Sequence, residues 1–339
     1  MPGLAITMIV CAALMRTGVI GDVAALYRVW RETRRICGEA HGAVHHAMKH
    51  DIAVLGATGQ IGRFLLPKLC SAGKSVLALS RNPPSPSADA TNPGWSRADL
   101  HGVMPALDQI ETLISLGPLD ALVVWLQRDR PAALHRIIAF SSMSAESKRD
   151  SLDPAERELA TRLHDSEQQL LVLGRAHEIA VTIFRPTLIY GAGTDRSLSP
   201  LARFAWRWHV LPIPLSATGL RQPVHAEDLA SACFAVLDRP ISFGRIYPLG
   251  GGERLSFRAV CRRIGAGLAK TVLPLPLPSW LLRVALLLRG NAKSGAVSAM
   301  AITRLRHDLV ADNSAAAHDF GYAPRSFYPL AASWGLPAI

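Results

Sequence analysis

The chain of 339 residues predicts an α/β fold, a doubly wound and mostly parallel sheet with a small C-terminal cap. Three observations carry that expectation. Short apolar runs alternate with helical stretches from residue 52 to about residue 190. The first run, Ile52 to Leu55, opens onto Gly56, Gly59 and Gly62 in a G-x-x-G-x-x-G spacing, and RFLLPKLCSAG follows with helical character. Beyond Tyr190 the alternation fades while the apolar content persists, as expected of a cap built from mixed pieces.

The strand, glycine turn and helix at 52–72 form the opening of a dinucleotide-binding unit. One glycine permits the tight turn, one lets backbone N–H groups approach a pyrophosphate, and one lets helix and strand pack closely. Ser75 to Ser80 is the second strand, and a Pro/Ser/Ala-rich loop follows to about Pro93. Trp95 to Leu100 holds a short third strand ending in Asp99, and Thr112 to Leu116 is the fourth. Leu119 to Leu126 enters a helix and Arg136 to Ser141 is the fifth strand. Pro154 to Gly174 has helical periodicity, with Asp153 as N-cap and Pro154 at the first helical position. Ala180 to Phe184 is the sixth strand. Later come helices at Pro200 to Trp208, Glu227 to Leu237 and Phe257 to Leu268, and a short strand at Tyr247 to Leu249. LPLPLP at 273–278 reads as an extended linker, and Trp280 to Leu288 as an apolar helix too short to cross a bilayer.

The expected organisation is an N-terminal extension (1–47), a dinucleotide-binding core (48–190) and a C-terminal part (191–339) that completes the core and caps it. The extension is expected to be poorly ordered, with Met48 as the natural start. Its YRVWRETRR, Tyr27 to Arg35, is open to a second reading as a basic amphipathic helix touching a membrane or a partner.

Half the residues are apolar, enough for a substantial core, and the formal charge is +11. The basic residues, mostly Arg, form no long block and are not interleaved with aromatics. That favours a basic protein handling phosphorylated small ligands over one that binds nucleic acid. The five cysteines show no C-x-x-C spacing, which points to reduced thiols, a cytoplasmic setting and no metal site.

In order along the chain, GATGQIG at 56–62, FSSMS at 140–144, FRPTLIYG at 184–191 and RQPVHAEDLA at 221–230 resemble the extended short-chain dehydrogenase/reductase superfamily. This group contains nucleotide-sugar epimerases, dehydratases and reductases on a Rossmann-type fold, and the resemblance spans about residues 50–330. It implies NAD(P) binding by Gly56, Thr58, Gly59, Gln60, Ile61 and Gly62. Asp99 and Leu100 fall at the adenine position, Leu116, Gly117 and Pro118 beside the nicotinamide ribose, and Pro186 with Thr187 near the ring. An NAD-preferring site places a carboxylate at the end of the second strand. Here Leu79-Ser80-Arg81-Asn82 offers a guanidinium instead, which suits a 2′-phosphate, so NADP(H) is favoured over NAD(H).

One family feature is missing. Active members use Tyr-x-x-x-Lys with a Ser or Thr, the Lys lowering the Tyr pKa so that it can transfer a proton near neutral pH. The corresponding helix reads TRLHDSEQQLL, which puts Leu163 at the Tyr position and Glu167 at the Lys position. Met143 stands where the hydroxyl is usual. Ser142, Ser144 and His164 are the available substitutes for the acid/base, and Glu167 could accept a hydrogen bond from a ribose hydroxyl. Arg221 and His225 match the stretch lining the substrate cleft; the alternative is a structural loop in which His225 and Asp228 cap the following helix. Two functions follow from the resemblance. One is an epimerase/dehydratase-like enzyme acting on a nucleotide sugar with a non-standard acid/base. The other is a non-catalytic NADP-binding accessory or regulatory protein with a protein partner. A membrane-surface role is a third, resting on charge and apolar helices alone.

Overall fold

The computed structural model describes residues 50–84, 93–268, 270–278 and 305–337. The N-terminal extension and the apolar 280–288 segment lie outside the described residues. His50 onward forms one compact unit.

A seven-stranded parallel sheet organises that unit, in the order β11-β6-β5-β4-β1-β2-β3. The strands are β1 (Ile52–Leu55), β2 (Val76–Ser80), β3 (Gly94–Arg97), β4 (Thr112–Ser115), β5 (Arg136–Phe140), β6 (Ala180–Pro186) and β11 (Arg245–Leu249). The chain winds outward from β1 to β3, returns beside β1 with β4 and continues the other way. The topological switch point therefore lies between β1 and β4, where ligands of such sheets bind beyond the strand ends. Both faces are covered, which is why the strands read as continuous apolar runs. Ile52 and Val54 join a core beneath α1 (Gly62–Ser71) and α6 (Ala226–Ala235). Ala53 and Leu55 join the opposite core beneath α2 (Leu119–Arg128) and α4 (Pro154–Ala176). A short α3 (Ser144–Ser147) leads from β5 towards α4.

α4 carries its predicted cap: the Asp153 carboxylate accepts from Ala155 N at 3.0 Å. At the far end of the sheet Arg136 is buried with its guanidinium spread over six neighbours, among them the Val236 carbonyl and the Thr182 hydroxyl at 2.8 Å each. Burial lowers its pKa to about 10, so it stays charged at neutral pH.

The C-terminal part adds β7 (Ile189–Tyr190), α5 (Leu198–Trp208), β8 (Val210–Pro214), β9 (Leu220–Arg221), β10 (Val224–His225), β12 (Leu255–Ser256), α7 (Phe257–Ala266), β13 (Leu273–Leu277) and α8 (Ser314–Phe320). Its core gathers Tyr190, Leu211, Ile213, Phe257, Ile264, Phe327 and Trp334. Two expectations are corrected. The LPLPLP stretch is a strand rather than a linker: β13 pairs in parallel with β8 from Leu273–Val210 to Leu277–Pro214. Alternate prolines lack the N–H of a full ladder, which hides such a strand in the sequence. The third strand ends at Arg97, and Asp99 lies in the following turn with its N–H on the Val103 carbonyl at 3.0 Å.

Candidate functional site

The switch point is built from the tips of β1, β2 and β4. Gly56 sits at φ +74°, a left-handed conformation that favours glycine, and its N–H donates to Leu79 O at 3.0 Å. Leu116, just past β4, donates to Leu55 O at 3.0 Å and packs on Gly56, where a Cβ would meet its carbonyl carbon at 3.3 Å. At Gly59 a Cβ would meet only the Gly56 carbonyl, at 2.9 Å, so its outer side is open. At Gly62 a Cβ would collide with the Ala57 backbone. α1 starts at Ile61 without a side-chain cap, and its first turn holds no acidic residue. An uncapped helix N-terminus beside an open glycine turn suits an anion.

Around this turn the predicted residues fall into two groups. Thr58 Oγ1 lies 2.9 Å from Ser80 Oγ, which accepts from Asn82 N at 3.2 Å, so Thr58, Arg81 and Asn82 cluster at the end of β2. Arg81 and Asn82 are exposed. Asp99 uses Oδ1 to accept from His101 N at 3.1 Å, and Leu100 approaches Gly117, whose Cβ would lie 3.5 Å from it. Pro118 leads into α2 in an extended conformation. At the neighbouring strand ends, Ser142 Oγ accepts from Ser144 N at 3.1 Å, and Met143, buried, donates its N–H to Pro186 O at 3.0 Å.

Three polar atoms here are buried without a partner: Gln60 Oε1, Ser115 Oγ and Ser141 Oγ. Buried polar groups are nearly always paired, so orphans clustered at one crevice mark a place where a ligand's polar groups belong. Together with the open glycine turn, they fit a dinucleotide.

The remaining predicted groups are placed differently. His164 is exposed on α4. A cavity of about 520 Å³ is lined by Ser144, Glu146, Arg221 and Asp308 among others, and His164 is not part of its wall. Glu167 is corrected: it is fully buried, and both its oxygens accept from Arg185 at the end of β6, one of them from Nε at 2.8 Å. The Arg185 Nη1 reaches Glu146. These bonds to Glu167 hold the Arg185 pKa above its ordinary value. Buried and turned to Arg185, Glu167 is not presented to a ribose. Leu163, four residues earlier on the same face of the helix, is half-buried.

Of the two readings of His225, the helix cap is present. Its Nδ1 accepts from Glu227 N at 3.2 Å and so caps α6, and its ring packs edge-on against Tyr190 at 5.0 Å. Burial lowers its pKa. The Asp228 carboxylate takes Arg325 Nε at 2.8 Å instead of capping the helix. Arg221 does line the cavity, but it is buried and donates to the carbonyls of Leu220 and His307 at 2.7 and 2.6 Å. Sequence reasoning missed Arg185, Glu146, Ser115 and Ser141. The signal for the first was partial: Glu167 was an unexplained carboxylate on the helix, and a buried strand arginine is one group that could meet it.

Residues 159–250 match the model of the NAD dependent epimerase/dehydratase family. UDP-glucose 4-epimerase of Vibrio cholerae is 26% identical over 116 residues, 34% of this chain and 35% of that protein. The mitochondrial NADH dehydrogenase [ubiquinone] 1 alpha subcomplex subunit 9 is 27% identical in Arabidopsis thaliana over 59% of this chain and 53% of that protein. The Mus musculus form is 23% identical over 74% of each. The chain thus spans about a third and about half of the first two of these relatives. Among solved structures, MoeE5 in complex with UDP-glucuronic acid and NAD superposes with a TM-score of 0.61 at 20% identity, covering 81% of this chain and 94% of MoeE5. UDP-N-acetylglucosamine 4-epimerase from Bacillus cereus gives 0.60 at 15%, covering 85% and 98%. The doubly wound sheet with its glycine turn is the fold that these solved structures share. Residues 159–250 carry the sequence match to the epimerase/dehydratase family, and the fold around them is like that of the solved epimerase.

Proposed function

We propose that this protein binds NADP(H) at the glycine turn and holds it without Tyr–Lys proton transfer, as an accessory or regulatory subunit of a larger assembly. The observation that carries this reading is the buried Glu167–Arg185 pair. It fills the Lys position of the family with a carboxylate whose partner comes from the sheet, while Leu163 fills the Tyr position. Neither can donate or accept the proton that carbonyl reduction needs. A bound nicotinamide would supply hydride chemistry. This chain's residues bind and orient the cofactor: Gly56, Gly59, Gln60, Ile61 and Gly62 around the pyrophosphate, Thr58, Arg81 and Asn82 at the 2′-phosphate, Asp99 and Leu100 at the adenine. Leu116, Gly117, Pro118 and Pro186 stand at the nicotinamide end, where Ser115 and Ser141 offer hydroxyls. Relatives named as subunits of NADH dehydrogenase, aligned over 59% and 74% of this chain, support the accessory role. The test is affinity purification of the tagged chain from its native cells. A stoichiometric partner, retained with NADPH, is expected; a lone chain that turns over a carbonyl substrate overturns the reading.

A second reading is favoured by the cavity beside Ser144 and Arg221. It makes the protein an enzyme acting on a nucleotide sugar, with Ser144 or Ser142 as the hydroxyl. An NADPH absorbance change with UDP-sugars, lost in Ser144→Ala, would establish it.

A further inference from the structure

The formal charge of +11 is unevenly placed: residues 196–226 and 254–307 hold 14 of the 37 Lys and Arg residues and none of the 26 Asp and Glu. Described parts of the two stretches pack together, α5 and β8 from the first against α7 and β13 from the second. Where these described parts meet, apolar side chains face solvent. Phe204 and Trp208 lie one turn apart on α5, 40% and 61% exposed, with ring centroids 6.5 Å apart. α5 ends at His209 in the left-handed region, and the His209 carbonyl accepts from Leu273 N at 2.9 Å, which joins the end of α5 to the start of β13. Leu273 and Leu275 on β13 are exposed, with Pro274 and Pro276 beside them. Cations sit among the rings: the Arg207 guanidinium lies 5.2 Å from the Trp208 centroid, and Lys270 Nζ 4.0 Å from that of Trp206.

We propose that this surface docks on an anionic lipid bilayer, with Phe204, Trp208, Leu273 and Leu275 entering the headgroup boundary and Arg207 and Lys270 meeting lipid phosphates. Single exposed apolar residues are ordinary, but grouped ones mark an interaction site. Tryptophan favours the boundary between water and acyl chains, where its ring is buried and its N–H stays wet. Arg and Lys stems lie along apolar surface while their charges stay in the headgroups. The absence of carboxylates from both stretches removes the repulsion that an anionic surface would otherwise exert. The inference does not depend on the cofactor site.

The full chain is sedimented with vesicles of phosphatidylcholine alone and with about 30% phosphatidylglycerol, at low and high salt. The expected result is at least about five-fold more binding to anionic vesicles, lost at high salt. Arg207→Glu lowers binding to anionic vesicles, and Trp208→Ser with Leu275→Ser lowers it further. Brominated acyl chains quench the tryptophan fluorescence of the bound protein; Trp208→Phe keeps binding and removes much of the quenching. Equal retention on both vesicle types, binding untouched by the exposed-residue variants, or displacement of the chain from vesicles by duplex DNA overturns the proposal. So does concentration-dependent dimerisation abolished by the same variants with no vesicle binding.

Discussion

Replacing Glu167 by Gln removes the charge that faces Arg185 while keeping the shape of the side chain. Glu167 is wholly buried and the Arg185 side chain is 10% exposed, so the guanidinium would be left in a poorly solvated place. Breaking a buried pair costs about 3–5 kcal/mol, against near zero for exposed pairs. Glu146 remains as a partner and its side chain is 41% exposed, so water tempers the loss; the expected cost of Glu167→Gln is about 3 kcal/mol. Arg185→Met strands Glu167 with no cation and should cost about 4–5 kcal/mol. Joining Arg185→Met to Glu167→Leu removes both charges and should return stability to within about 1 kcal/mol of the parent, because apolar replacement of a buried pair is often neutral. Urea denaturation followed by circular dichroism reads the differences, and about 3 kcal/mol corresponds to roughly 4–5 °C in Tm for a chain of this size. Single variants costing under about 1 kcal/mol, or a double variant equal to the sum of the singles, would refute the argument that this pair fastens α4 to the sheet.

Three further outcomes are expected. Gly59→Val places a branched side chain over the open side of the turn and should weaken NADPH binding by about ten-fold or more, read by fluorescence titration, with a smaller loss of Tm; unchanged affinity would remove the turn from the site. Arg81→Asp should reverse cofactor preference towards NADH in the same titration, since a carboxylate suits a 2′-hydroxyl and repels a 2′-phosphate; a preference that does not move assigns Arg81 to solvent. Stability should fall as pH drops from about 6.5, because the His225 pKa is lowered in the fold, so the unfolded chain takes up its proton first and protonation removes the Nδ1 acceptor that caps α6. His225→Asn keeps a capping acceptor without titrating and should flatten that part of the Tm–pH curve, though His50, also lowered by burial, leaves a residual slope.

The sheet was legible because its strands other than β3 are short, mainly apolar runs closed by turn residues, and because glycines at 56, 59 and 62 admit few other local structures. The helix at 154–176 announced itself through Asp153 and Pro154. Elements whose pairing is decided elsewhere in the chain stayed hidden. β8 and β13 consist of alternating prolines and apolar residues and become strands only by meeting each other. α8 is a short alanine-rich segment held by Asn313, whose side chain reaches the Gly250 carbonyl at 3.2 Å and whose Oδ1 takes Gly250 N at 2.8 Å. The candidate site shows the same division. Its glycine turn is local and could be read directly, whereas the Arg185–Glu167–Glu146 group joins β6, α4 and α3 and exists only in three dimensions. Glu167 looked like a lost lysine; its partner on the sheet explains why a carboxylate stands there.

The most direct test of the account is a titration of the protein with NADPH and with NADH by nicotinamide fluorescence, followed by a screen of the NADPH-loaded protein against sugar nucleotides and carbonyl compounds. Saturable binding that favours NADPH, with no change in nicotinamide absorbance across the screen, is the predicted result. Binding of neither nucleotide, or steady oxidation of NADPH by any of these substrates, would contradict it.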